Sequence, residues 1–145
     1  MLKELNIPIK VQKYFKNSPI QVFDAWLDSS HIENWFFKQD RMIHAENHPD
    51  VDGEYSYIID RGGEQIEHRG KYLEIIHPVR LSFTFQVPKY SDQTSVVTLN
   101  IESVENETLL TLTHQGVLPE YRDRTIEGWS KIVDRLHDYL QSKKQ

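Results

Sequence analysis

Residues Glu120–Lys143 read EYRDRTIEGWSKIVDRLHDYLQSK, and their spacing decides the fold. Ile126, Trp129, Val133, Leu136 and Leu140 recur at steps of three or four, which places them on one face of a helix. Ile132 and Tyr139 widen that face, while Arg124, Lys131, Asp134, Arg135 and Asp138 fall mostly off it. Pro119 stands at the start, where a missing amide hydrogen costs little. Glu120 and Asp123 occupy the first turn and Lys143 and Lys144 the end, as the helix dipole prefers. A helix of roughly six turns with one broad apolar stripe is marginal alone in water and needs a large apolar surface to lie on.

The rest of the chain reads as the sheet that supplies it. Ile7, Ile9 and Val11 alternate with polar neighbours and predict a first strand running to Phe15, with Pro8 at its start or on an edge. Ser18, Pro19 and Gln21 then form a capping box for a helix whose face carries Ile20, Phe23 and Leu27, with Val22 and Trp26 beside it. Asp28-Ser29-Ser30 breaks that helix, and Ser30 with Glu33 can cap a shorter one bearing Ile32, Trp35 and Phe36. From Arg41 to Gln115 the texture changes to strands. Met42–Asn47 is weak, and Glu54–Asp60 places Tyr55, Tyr57 and Ile59 in phase. Arg61-Gly62-Gly63 is a hairpin signal, and Gly70 inside the long strand Gln65–Ile76 marks a bulge or a close approach. Leu81, Phe83 and Phe85, then Val97, Leu99 and Ile101, then Leu110, Leu112 and His114 alternate as half-buried strands. Short loops favour an antiparallel meander with one face under the long helix, an α+β architecture.

Composition narrows the function. At 145 residues the chain has the size of one domain, and 38% hydrophobic with 27% charged residues is ordinary for a globular protein. A net charge of -5 argues against a nucleic-acid surface, and Lys10, Lys13 and Lys16 are too loosely spaced to make a basic patch. With no cysteine there is neither a disulfide nor a thiolate site. No apolar run approaches the ~20 residues of a membrane span. Lys3, Glu4 and Asn6 interrupt any signal-peptide pattern, so membrane insertion is not expected and a cytoplasmic location is.

Read in order, SPIQVFDAW from Ser18, NWFF from Asn34, DGEY from Asp52, GKYLEI from Gly70, PVRLSFTF from Pro78 and GW from Gly128 span nearly the whole chain. This ordered set resembles proteins similar to the C-terminal domain of the activator of heat-shock protein 90 ATPase, within the START-like (SRPBCC) helix-grip superfamily. The resemblance implies a curved antiparallel sheet gripping the C-terminal helix, two short helices after the first strand, and often a cavity between sheet and helix. It does not bring a reaction with it, because members of the superfamily include lipid binders, cyclases and stress proteins. The domain that the co-chaperone carries before this one has no counterpart in the sequence, which weighs against chaperone stimulation.

Candidate chemistry is sparse. His44 and His48 have a spacing that would pair two ligands on a helix, but Pro49 disfavours helix there and no third ligand is indicated, so they read as surface residues and no metal is expected. His114 shares its strand phase with Leu110 and Leu112, either as a hydrogen-bonded core residue or as a polar contact in a cavity. Trp35, Tyr55, Tyr57, Tyr72, Phe83, Phe85 and Trp129 complete an aromatic set that packs the core or lines a pocket. The expected role is binding of a small, largely apolar molecule, with no cofactor, through these residues and His114. A protein-interaction or stress-response module is one alternative, and a cyclase- or hydrolase-like enzyme using His114 or a tyrosine is another.

Overall fold

The computed structural model describes residues 7–37 and 40–142, and the side chains of all of these except 29 and 30. Seven strands form one curved antiparallel sheet: β1 (Ile9–Phe15), β2 (Arg41–Asn47), β3 (Glu54–Arg61), β4 (Glu64–Ile76), β5 (Arg80–Phe85), β6 (Ser95–Val104) and β7 (Glu107–Gln115). Their order, β1-β7-β6-β5-β4-β3-β2, is a meander from β2 to β7 with β1 laid along the far side of β7. Pairing Ile9 with His114 and Val11 with Leu112 keeps the apolar phase of both strands on the inner face. Pro8 precedes β1, an edge strand, where its missing donor does no harm.

Backbone geometry explains the turns. Glu105 and Asn106 both adopt positive φ, 50° and 71°, the left-handed pair that closes a tight hairpin, and Gly62-Gly63 does the same between β3 and β4. Gly70 is a close approach. A Cβ there would sit 1.9 Å from the Thr84 carbonyl oxygen and 2.6 Å from the Tyr55 hydroxyl. Tyr55 uses that space, crossing the glycine to donate to the Thr84 carbonyl at 2.7 Å.

Helix α1 (Pro19–Leu27) opens on the expected box: Ser18 Oγ accepts from the Gln21 amide at 3.2 Å, and Gln21 Oε1 accepts from the Ser18 amide at 3.1 Å. Its buried stripe is Val22, Phe23, Ala25 and Trp26. Ile20 does not belong to it. That side chain is 52% exposed, since the turn of helix that faces the sheet is set by Phe23 and Trp26. Helix α2 (Ser29–Trp35) follows directly after Asp28. The cap expected at Ser30 falls inside this helix, whose first turn instead donates from the His31 and Ile32 amides to the Asp28 carbonyl at 2.9 and 3.1 Å. Lys143 and Lys144 at the chain end lie outside the described residues.

A 3-10 turn, Pro119–Tyr121, leads into α3 (Arg122–Ser142), so the first turn read as α-helix is wound more tightly. Trp129, Val133, Leu136 and Leu140 are buried along α3, with Ile126, Ile132 and Tyr139 at the margins. Burying each such side chain contributes roughly 1.5–3 kcal/mol before entropy. Both ends are fastened beside β1: Arg122 donates to the Ile7 carbonyl at 2.9 Å, and buried Asn17 donates to the Leu140 carbonyl at 3.3 Å. Arg135, expected off the apolar face, is half-buried instead. Its guanidinium donates to the Trp35 and Phe36 carbonyls at 3.0 and 3.2 Å, capping the end of α2 with a cation.

Candidate functional site

Under α1 and α2 lies a void of about 30 Å³. The sheet side is Tyr55 and Tyr57 from β3, His68 and Tyr72 from β4, and Phe83 and Phe85 from β5. Trp26, Ile32, Phe36 and Phe37 close it from above. Five residues picked from the sequence, Tyr55, Tyr57, Tyr72, Phe83 and Phe85, meet here because they alternate in phase on adjacent strands. The other three, Trp35, His114 and Trp129, do not line it. The long helix, expected as one wall, stands behind: α3 packs along β1, and the Trp129 ring backs those of Phe85 and Phe36 at 5.7 and 5.9 Å. Trp35 is fully buried, with its Nε1 donating to the Ala25 carbonyl at 3.2 Å and its ring edge-on to Trp26.

The polar atoms of the lining fall into two groups. Tyr55 and Tyr72 are bonded, Tyr55 to the Thr84 carbonyl and Tyr72 to Asn47 Oδ1 at 2.6 Å. Trp26 Nε1, the Tyr57 hydroxyl and His68 Nδ1 have no hydrogen-bond partner, and they are the buried side-chain atoms of which this is true among the described residues. All three belong to residues that line the void. Burial pushes the Tyr57 and Tyr72 phenols above their ordinary range, with the Asp28 charge adding to Tyr57 and Tyr57 to Tyr72. Burial, helped by the Arg61 charge, lowers the His68 pKa to about 4 and keeps the ring neutral, outweighing the ring's hydrogen bond to the Ile66 backbone.

His114 contrasts with this. Trp129 Nε1 donates to its Nδ1 at 2.9 Å, and its Nε2 meets Ser95 Oγ at 2.6 Å. An indole N–H can only donate, so Nδ1 accepts and the ring proton sits on Nε2, pointing at Ser95. The Ser95 hydroxyl passes its own hydrogen to the Phe85 carbonyl at 3.1 Å. Burial lowers the His114 pKa to about 4. Neither ring nitrogen is left free to exchange a proton with a substrate.

Beside the void, an open groove of about 640 Å³ runs between the chain following β5 and the start of α3. Val87, Val117 and Leu118 give it an apolar floor, with Tyr90, Tyr121 and Arg61 among the groups around them. Arg61 is held in a two-point pair with Asp40 at 3.0 and 3.2 Å. Phe85 lines both groove and void, the residue the two have in common. The sequence reading missed Trp26 and His68. For His68 a signal existed, since Ile66, His68, Gly70 and Tyr72 share one phase of β4. His44 and His48 are exposed and both approach the Glu46 carboxylate, at 3.6 and 3.1 Å. Among the described residues no group of three or more His, Asp or Glu is placed to hold a metal ion.

A curved antiparallel sheet closed by a long terminal helix, with two short helices after the first strand, defines the helix-grip class. Within it, the family model "Activator of Hsp90 ATPase homolog 1-like protein" matches residues 16–141, and the chain belongs to that family. Solved structures agree on the fold. A protein of unknown function from Staphylococcus aureus superposes with a TM-score of 0.83 at 18% identity, over 96% of this chain and 96% of that one. An AHSA1-like protein from Aeromonas hydrophila does so with a TM-score of 0.83 at 18% identity, over 95% and 94%. The Aha1 dimer from Colwellia psychrerythraea follows with a TM-score of 0.72 at 14% identity, over 91% and 94%. No curated protein matches the chain in sequence. The fold is compatible with ligand binding or protein interaction, and no helix among the described residues is long and apolar enough to cross a membrane.

Proposed function

We propose that this protein binds a small, largely apolar molecule at the void beneath α1 and α2, reached from the neighbouring groove past Phe85. The observation that carries this reading is the lining itself: aromatic rings with three buried polar atoms that nothing in the protein satisfies. A core evolved only for packing fills such space or bonds such atoms. The void by itself holds little more than a water-sized group, whereas small-molecule sites run to ~300–1,000 Å³. The groove has that size, and rotation of the half-buried Phe85 ring would join the two. Apolar burial at ~25 cal/mol per Å² would supply most of the affinity.

The test is titration with the neutral fluorophore N-phenyl-1-naphthylamine. Saturable binding at one site is expected, weakened about tenfold in Phe85→Trp, where added bulk blocks the passage at a stability cost of about 1–3 kcal/mol that leaves the protein folded. Absence of saturable binding, or an affinity indifferent to Phe85→Trp, would remove the pocket reading.

A further inference from the structure

Resting on that reading, we propose that the ligand is a neutral amphiphile whose polar head, an alcohol, ketone or amide oxygen, occupies the inner void while its apolar body lies in the groove. The three unpartnered atoms specify the head. Trp26 Nε1 can only donate, so the ligand must present an acceptor. The Tyr57 hydroxyl can donate to the same oxygen or accept from it, and His68 Nδ1 can take a ligand hydrogen when the ring proton is on its other nitrogen. A hydroxyl meets all three demands and a carbonyl oxygen meets two.

Size and charge point the same way. At about 30 Å³ the void admits one small polar group and little more, so the rest of the molecule has to extend past Phe85. Trp26 and Tyr57 are 4% and 5% exposed, so bulk solvent does not reach them, and a water held in the void is what the head would displace. Among the described residues, no lysine, arginine, aspartate or glutamate lines the void. A carboxylate head would therefore be buried without a counter-charge, at a cost of several kcal/mol. Arg61 and Arg124 line the groove and not the void, and Arg61 already holds Asp40.

The experiment is displacement of bound N-phenyl-1-naphthylamine at pH 7.5 by a matched series: 1-octanol, 2-octanone, octanoate and n-octane. Partition from water alone ranks octane first, since it has the most apolar surface for its length. The head assignment predicts the reverse: octanol and octanone displace the probe at about tenfold lower free concentration than octanoate or octane. In Tyr57→Phe that advantage shrinks to about threefold or less, with octane unchanged. Trp26→Phe is the second variant and behaves likewise for both octanol and octanone. Octane displacing best, equal potency across the series, octanoate binding tightest, or an advantage that survives both substitutions would overturn the head assignment and leave apolar binding standing. A probe that fails to bind wild-type protein would instead sink the pocket reading beneath it.

Discussion

Two histidines face the interior of this sheet, His114 buried and His68 half-buried, and they sit in opposite kinds of surroundings. His114, next to α3, has both nitrogens engaged, one by an indole and one by a serine that is itself satisfied. His68, under α1 and α2, has an unpartnered Nδ1 and two unpartnered neighbours on the wall opposite and beside it. Burial lowers both pKa values to about 4, so titration does not tell them apart. Hydrogen bonding does. Where every buried polar atom has a partner, the polar group is part of the scaffold; where several lack one around a common void, they carry the binding role proposed above.

The largest expected effect belongs to the scaffold side. Trp129→Ala should destabilise by about 3–5 kcal/mol, because it empties a site 3% exposed and strips His114 Nδ1 of its donor. A urea midpoint close to wild type would mean that α3 is not held as described.

Acid should act on both histidines. Burial lowers each pKa to about 4 from the ordinary 6.5, so the unfolded chain binds the proton first. Stability is then fully present above about pH 6.5 and is lost as pH falls toward 4. Between pH 7 and pH 5 the loss should be roughly 2 kcal/mol per histidine, read from urea midpoints at the two pH values. His114→Gln should remove its share of that slope, and an unchanged slope would show that His114 is not a buried neutral ring.

The smallest effect sharpens the contrast most. Tyr72→Phe deletes a hydroxyl bonded to Asn47 and should cost about 1 kcal/mol. Tyr57→Phe deletes one bonded to nothing and should cost under ~0.5 kcal/mol or stabilise slightly, by thermal or chemical denaturation. Equal losses would mean that Tyr57 has a partner in solution.

Much of the scaffold was legible in the sequence because it rests on periodicity. The stripe from Ile126 to Leu140, the capping box at Ser18 and the alternation through Leu81, Val97 and Leu110 are local patterns. They need no knowledge of what lies across the interior. The pairing of β1 with β7 was not legible, since nearly the whole chain separates Ile9 from His114 and only shared burial selects that register. Half of the site was legible for the same reason: Tyr55, Tyr57, Tyr72, Phe83 and Phe85 are in strand phase. The helical wall was not. In a helix as short as α2, Trp35 and Phe36 cannot be ranked by periodicity, and the structure turns Trp35 into the core and Phe36 toward the void. Trp26 was visible as apolar, but whether its N–H finds a partner is decided by tertiary packing alone.

The central claim is that Trp26, Tyr57 and His68 await a ligand while the His114 side is complete. The most direct measurement follows the indole N–H signals of the three tryptophans by proton–nitrogen NMR as 1-octanol is added. Trp35 and Trp129 already donate, to Ala25 and His114, and should hold still. Trp26 should shift downfield saturably as it gains an acceptor. No saturable shift at Trp26, or a shift led by Trp129, would contradict the account.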